Sequence, residues 1–386
     1  MAFYLASKEV WRNKGRYFLF SLVIALITTL VLFTAALAEG LASANREYLS
    51  KLDAQLIVFQ KNVDLSANAS QIGESLLTSI KRVEGVETVG AIGLSSATIV
   101  FSSAQQSQQD VSLIGVEPGK PGLPPVLSGR SLKTTRAREV IIDQRIAKKF
   151  EIKPGDNLTI KTIQGTDEKF FVLKVVGITN GGQQYLFRPS IFVPYRTWDE
   201  IRSQPTPSII KPDLIFNIVA VKISAGQDAS EVASRIQSGV KDIEVTDIAT
   251  AIRALPGYTA QQSTLNTQQI FTLLIGVLVI GGFFQIQMLQ KIPQIGVLKA
   301  IGVSNTIVAI ATVLQIVLVT TFGVVLGSAV TFMLAALIPS TVPIIFNGAL
   351  VAIATTALLL IGPLGGLVTV RLAVSVEPLI ALGLSS

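Results

Sequence analysis

The chain has 386 residues, 49% of them hydrophobic, a formal net charge of +7, and neither Cys nor His. Those two absences exclude disulfides, thiolate metal sites and any Ser–His or Cys–His nucleophile pair. The excess positive charge argues against a nucleic-acid partner, because the cations outside the central segment flank apolar runs instead of clustering on a soluble face.

In chain order, residues 1–16 come first. Phe3–Arg16 predicts a cytoplasmic interfacial helix, with Trp11 and Val10 toward lipid and Lys8, Arg12 and Lys14 in the headgroups. Tyr17–Ala38 is uncharged over 22 residues and predicts a first transmembrane helix, 17–38. Its length exceeds the roughly 7–15 apolar residues of a cleavable signal, so an uncleaved anchor is expected.

Residues 39–262 predict an extracytoplasmic α+β domain inserted between helices 1 and 2. Expected strands are Ala54–Gln60, Thr88–Phe101, Val111–Val116, Val140–Asp143, Asn157–Ile163, Phe170–Ile178, Ser190–Pro194 and Phe216–Ile223. Expected helices are Ala69–Val83, a segment ending at Phe150, Tyr195–Arg202 and Asp228–Gly239. The βα units at the two ends suggest one subdomain built from both, with the middle inserted. Leu41–Leu52 and Gln261–Gln269 extend helices 1 and 2 outward as a stalk.

Residues 263–290 predict helix 2. Between Lys299 and Arg371 lie 71 consecutive uncharged residues. A span needs about 20 apolar residues, so this run holds helix 3 (305–337), an outer loop (338–347) and helix 4 (348–371). A cytoplasmic tail, 372–386, completes a four-helix membrane protein. The segment Glu39–Arg253 carries 25 Lys/Arg against 23 Asp/Glu, and the rest carries 7 against 2. Those seven cations flank one side of a four-span chain, which by the positive-inside rule is the cytoplasm. Both termini are then cytoplasmic and the inserted domain is outside, in the cell (plasma or inner) membrane.

No chemistry-bearing motif survives inspection. Gly115–Pro121 has the wrong glycine spacing for a phosphate-binding loop, and Pro121 replaces the Ser or Thr that would hold magnesium. The pairs Asp167–Glu168 and Asp199–Glu200 read as solvated surface. No catalytic residue, no metal site and no cofactor on this chain are expected.

The informative segment is Gln290–Asn305, QKIPQIGVLKAIGVSN. Pro293 suits a helix start, Gly302 a helix end and Ser304 a cap for helix 3. Ile292, Ile295, Leu298 and Ile301 recur at helical spacing between Lys291 and Lys299. This predicts a short amphipathic coupling helix, 291–304, beneath the membrane. It is either a plain interfacial connector or a docking helix for a cytoplasmic motor. Gly323-x-x-x-Gly327 and Gly362-x-x-x-Gly366 allow close helix approach, either within one subunit or at a dimer seam.

IGVLKAIGVSN resembles the coupling segment of FtsX-like ABC permeases of the macrolide-exporter type. ASKEVWRNKGRYFLF, REVIIDQRIAKKFEIKPGDNLTI, FFVLKVVGI, SIFVPYRTWDEI and VEPLIAL resemble further family segments in the right order. LASANREYLSKLDAQLIVFQKN and QKIPQIGVLKAIGVSN look most like permeases of Hrt-type haem exporters. The resemblance implies a homodimer with two copies of a cytoplasmic ABC ATPase, which binds ATP and Mg. It also implies mechanotransmission, in which stalk helices relay ATP-driven closure to the outer domain. The implied substrate is hydrophobic or amphipathic, with haem as a candidate; the apolar, charge-free outer halves of helices 1 and 2 suggest lateral entry from the lipid of the outer leaflet. The alternatives are lipoprotein, antimicrobial-peptide or drug export, or a mechanical signalling subunit controlling cell-wall hydrolases. Glu39 and Tyr48, just above helix 1, are the first candidates for substrate contact.

Overall fold

The computed structural model describes residues 8, 11–101, 108–204, 214–338 and 342–375. The expected interfacial helix falls largely, and the VEPLIAL motif wholly, outside them. The chain divides into two compact units, Met1–Leu41 with Gln262–Ser386, and Ala42–Gln261.

The unit Ala42–Gln261 is α+β. Its strands are β1 (Leu56–Gln60), β2 (Ile72–Gly73), β3 (Val86–Val100), β4 (Gln108–Val116), β5 (Val126–Gly129), β6 (Glu139–Ile142) and β7 (Asn157–Gln164). Then come β8 (Asp167–Thr179), β9 (Gln184–Tyr185), β10 (Arg188–Pro194), β11 (Ile215–Phe216), β12 (Ile218–Ile223) and β13 (Ile243–Asp247). The main sheet runs β13-β1-β12-β3-β4-β10-β6-β8-β5, with β7 bridging β3 and β8.

Period-two side-chain alternation explains how one sheet serves several cores. In β1, Ile57 and Phe59 face one cluster with Ile92, Ile114 and Phe192, while Leu56 and Val58 face another. That second cluster includes Ile80 of helix Glu74–Lys81, Val232 and Ile236 of helix Ala229–Gly239, and Val219 and Val221. β1 and β12 pair antiparallel with Ile57 opposite Ala220, so the two ends of the insert do build one layer. The middle forms its own core around Ile99, Leu113, Ile142, Val175 and Trp198.

The sequence reading did not anticipate β2, β5, β9, β13 or the helix Ile248–Arg253. β5 is mostly exposed and, among the described residues, pairs with β8 alone across an irregular register, so it carries no apolar alternation. The predicted helix Ala69–Val83 shortens to Glu74–Lys81, because Ile72 and Gly73 pair with β11.

In the other unit, Lys14–Ser50, Tyr258–Ala300 and Asn305–Leu337 are long and apolar enough to cross a membrane. A fourth helix, Gly348–Ser375, contains Pro363, and its apolar stretch Val351–Leu364 is shorter than a span. Among the described residues, three helices meet the length and hydropathy of a span.

The separate coupling helix 291–304 is not formed. Tyr258–Ala300 runs unbroken for 43 residues with Pro293 inside it. A proline within a helix removes one N–H and one bond, that to the Leu289 carbonyl. Packing offsets this loss, since Ile295 is buried against Met288 and Val308. The helix ends as expected at Gly302, whose φ of +92° suits glycine. Ser304 precedes the next helix in an extended conformation, but its hydroxyl makes no cap bond.

The glycine pairs pack within one chain. A Cβ on Gly323 would meet Ile24 at 2.7 Å, and one on Gly327 would meet the Ala25 carbonyl at 2.5 Å. Substituents on Gly362 and Gly366 would overlap Thr320 and Ile316. These four glycines seat the helices Lys14–Ser50, Asn305–Leu337 and Gly348–Ser375 against one another, so within this chain they form an internal seam.

Part of the loop before the last helix is also seated. Ile345 N–H donates to the Ala36 carbonyl at 3.1 Å. The Pro343 carbonyl lies so close to Gly40 that a Cβ there would overlap it.

Candidate coupling sites

The segment 291–301 presents two faces. Ile295 is buried and Leu298 half-buried, both lining a cavity shared with the following helix. Ile292 is half-buried as well. Lys291 turns inward: its Nζ donates to Tyr17 Oη at 2.6 Å and to Gln315 Oε1 at 3.0 Å. Lys299 Nζ donates to the Val374 carbonyl at 2.6 Å. The predicted docking face of Ile295 and Leu298 therefore packs against the chain itself. The opposite face, Pro293, Gln294, Val297, Ala300 and Ile301, is exposed, and Ile301 is 73% accessible. Of the six predicted docking residues, only Ile301 points outward.

The second site lies within the unit Ala42–Gln261, at the last turns of the helix Lys14–Ser50. Tyr48 is buried among Tyr185 and Phe192, and its hydroxyl donates to the Gly122 carbonyl at 2.9 Å. A side chain so enclosed, with its polar atom bonded, is a core residue. Tyr48 is thus withdrawn as a substrate contact. Glu39 is half-buried.

Glu47, beside Tyr48, is the polar anchor that sequence reasoning missed. Its carboxylate accepts from Arg145 Nη1 at 2.7 Å, Lys51 Nζ at 2.8 Å and the Gln184 N–H at 3.1 Å. The neighbouring Asp143 is fully buried, caps the helix Gln144–Phe150 through Arg145 N–H, and accepts from Gln183 N–H. Burial pushes the Asp143 carboxyl up to about 6, against the pull of those amides and of the Arg145 guanidinium. Gly182 has no side chain to obstruct the Arg145 guanidinium, which occupies the space a Cβ would need. The only sequence signal was Glu47 and Lys51 at helical i,i+4 spacing, and that pattern is common on solvated helices.

A family model described as the MacB-like periplasmic core domain matches residues 17–238, more than half of the chain. The chain belongs to that family. A second model, the FtsX-like permease C-terminal, matches residues 269–378. The chain is thus an ABC transporter permease of the FtsX/MacB type, and the family implies a partner ATPase.

This permease is 28% identical to a provisionally named hemin transport system permease protein, HrtB, of Staphylococcus haemolyticus, over 98% of this chain and 99% of that one. It is 23% identical, over the same shares, to an uncharacterized ABC transporter permease of Mycobacterium bovis. The extracellular domain of the transporter YknZ from Gram-positive bacteria matches with a TM-score of 0.36 at 18% identity, covering 50% of this chain and 98% of that one. The two candidate sites are an exposed apolar face near Ile301 and a charged, buried fastening at Glu47.

Proposed function

We propose that this permease works as a homodimer with two copies of a cytoplasmic ABC ATPase. In this reading it exports a hydrophobic or amphipathic molecule, with haem the foremost candidate. Closure of the ATPases on ATP is relayed along the long helices to the outer domain, so the chain carries force instead of performing chemistry. The termini and the Lys291–Lys299 segment are cytoplasmic, and Glu39–Arg253 is outside, by the 7-to-2 imbalance of helix-flanking charges.

The observation that carries this reading is the helix Lys14–Ser50. It is uninterrupted over 37 residues, and its last turns are fixed in the outer domain by Tyr48 and Glu47. A continuous helix with a bonded end transmits displacement without needing a binding pocket of its own. The ATPase docks on the exposed face of Val297 and Ile301. Haem is supported by the name of the Staphylococcus haemolyticus relative. With no His or Cys in the chain, the porphyrin is held by apolar contact and by Glu39 at the end of the first apolar run.

The test is ATPase stimulation of the reconstituted permease–ATPase complex. Hemin should raise the rate, and cells lacking the permease should lose hemin tolerance. A response to a peptide or lipophilic drug but not to hemin overturns the substrate and leaves the exporter. A response to none, with altered cell-wall hydrolysis in the deletion strain, replaces export by mechanical signalling.

A further inference from the structure

Within the unit Ala42–Gln261 lies an open hollow of about 480 Å³, bounded by β3, β4 and the β9–β10 hairpin. Ligand pockets span roughly 300–1,000 Å³, so it has the size for a small organic molecule. Its polar wall carries one cation, Arg188, together with Asn68, Ser96 and Ser203. Among the described residues no Asp or Glu lines it.

Arg188 is half-buried, and its Nη1 donates to Ser96 Oγ at 2.9 Å, so its guanidinium head stands at the wall. A guanidinium offers five N–H donors in a planar fork, and this bond occupies one of them. None of the ion pairs among the described residues involves Arg188. Asp110 on β4 accepts from Thr98 Oγ1 at 2.8 Å and does not line the hollow. Asn68, Ser96 and Ser203 are exposed, so the polar wall is reachable from solvent.

The hairpin that carries Arg188 is strained. β9 and β10 pair Tyr185 with Arg188, which leaves Leu186 and Phe187 as a two-residue turn. Both have positive φ, 50° and 63°. Such a turn is ordinarily built from Asn and Gly, because bulky side chains fit that conformation poorly. Bonds from outside the hairpin hold it. The Leu186 N–H donates to the Asn45 carbonyl at 3.3 Å, and the Phe187 N–H to the Ala44 carbonyl at 3.2 Å. Leu186 lines the hollow with Leu94. One hairpin thus brings an apolar side chain and a guanidinium to the same hollow, and its tip is bonded to the last turns of the helix Lys14–Ser50.

The two kinds of wall choose the ligand. A wholly polar anion would leave Leu94 and Leu186 unmet. A neutral apolar molecule would cover the guanidinium without giving it an acceptor. A carboxylate on an apolar body meets both, and its two oxygens match the guanidinium fork. We propose that this hollow binds a carboxylate-bearing amphiphile, with the carboxylate on Arg188 and the apolar body against Leu94 and Leu186. For the class of its ligand this site rests on the exporter reading. Through Ala44 and Asn45, occupancy acts on the helix proposed to carry force.

The test uses the full permease with its ATPase partner in phosphatidylcholine nanodiscs, with empty discs subtracted. Fluorescence compares binding of protoporphyrin IX, a dicarboxylate, with that of its dimethyl ester, which has no free carboxylate. Oleate and acetate serve as competitors. The wild type should bind the acid about tenfold tighter than the ester, and Arg188→Met should bring the two within about threefold. Arg188→Lys should keep part of the preference, because it retains the charge but not the fork. Ser203→Trp fills the hollow from an exposed position, so it should weaken binding of the acid while melting as the wild type does. If Arg188→Met does not fold, Ser203→Trp decides. Equal affinity of the wild type for acid and ester overturns the site, as does an unchanged preference in Arg188→Met or Ser203→Trp. Displacement of the porphyrin by oleate supports a site shared with fatty acids, and resistance to oleate supports one confined to porphyrins. Complete displacement by millimolar acetate makes the hollow a soluble-anion site and overturns the amphiphile. Hemin stimulation of the ATPase without Arg188-dependent binding overturns the site and leaves the export reading. Arg188-dependent binding without hemin stimulation supports the site and removes haem as the exported molecule.

Discussion

Arg145 donates to Glu47 across 98 positions of sequence, with Nη1 and Oε2 2.7 Å apart. One partner stands in the last turns of the helix Lys14–Ser50 and the other opens the helix Gln144–Phe150. The Glu47 side chain is 10% exposed, so its charge is costly to leave alone. Arg145→Met should destabilise the outer domain by about 1–3 kcal/mol, since Lys51 and the Gln184 amide remain as partners. Thermal unfolding of the purified permease, with hydrogen exchange at the Gln184 amide, would check this. Unchanged exchange would show that the ion pair is ornamental.

Asp143 gives a pH dependence. Its folded pKa, about 6, lies above the ordinary value of 3.8, so the folded state holds this proton more tightly than the unfolded state. The stabilising contribution is complete below the unfolded value and is lost as pH rises through about 6. Between pH 7 and pH 5 this group alone should add about 1 kcal/mol to outer-domain stability. Asp143→Asn should remove that increment. An identical pH slope in wild type and variant would show that Asp143 does not titrate in this range.

The seam glycines should be intolerant of a methyl group. Gly323→Ala and Gly327→Ala push a Cβ into the helix Lys14–Ser50, at Ile24 and at the Ala25 carbonyl. Overpacking of this kind costs about 1–3 kcal/mol. Gly282 is the control, because a Cβ there meets nothing within 4 Å. Gly282→Ala should therefore be neutral or slightly favourable in thermal scans. Equal loss at Gly282 and Gly323 would mean that helix propensity, not packing, governs these positions.

The proposed docking face lies opposite the packed side of the segment 291–301. Ile301→Asp and Val297→Asp should abolish co-purification of the ATPase while the permease still inserts, because a charge at an apolar contact costs several kcal/mol, roughly. Ile295→Ala should instead lower thermal stability by about 2–5 kcal/mol through the void it leaves beside Met288 and Val308. ATPase retention by Ile301→Asp would return the docking role to another surface.

The charge-free runs made the apolar helices legible, since no soluble core requires 71 uncharged residues together. Most strands were legible too, because β1, much of β3 and residues 111–116 of β4 are rich in apolar and β-branched residues. The faces within the segment 291–301 were not. Ile295 and Ile301 both lie at helical spacing, and only the neighbouring Val308 decides which of them is buried. Pro293 was read as a helix start because proline favours that position, yet the local packing carries the helix past it. Tyr48 was misplaced for a similar reason. Sequence set it on a helix beyond the membrane, but could not show that Phe192 and Tyr185, more than a hundred residues later, enclose it.

The meeting of Gly40 with the Pro343 carbonyl leaves the first helix little freedom beneath the loop. Each residue advances a helix by about 100° and 1.5 Å. Rotation by one position would turn the side chain of Glu39 or Leu41 toward that carbonyl, and a slide of one turn, about 5.4 Å, would bring the methyl group of Ala36 or Ala44. Either movement lifts the loop and breaks the bond from Ile345 to Ala36. The short segment behind Pro343 thus behaves as a pawl on a toothed rod, holding one angular and axial setting and releasing only when that setting changes.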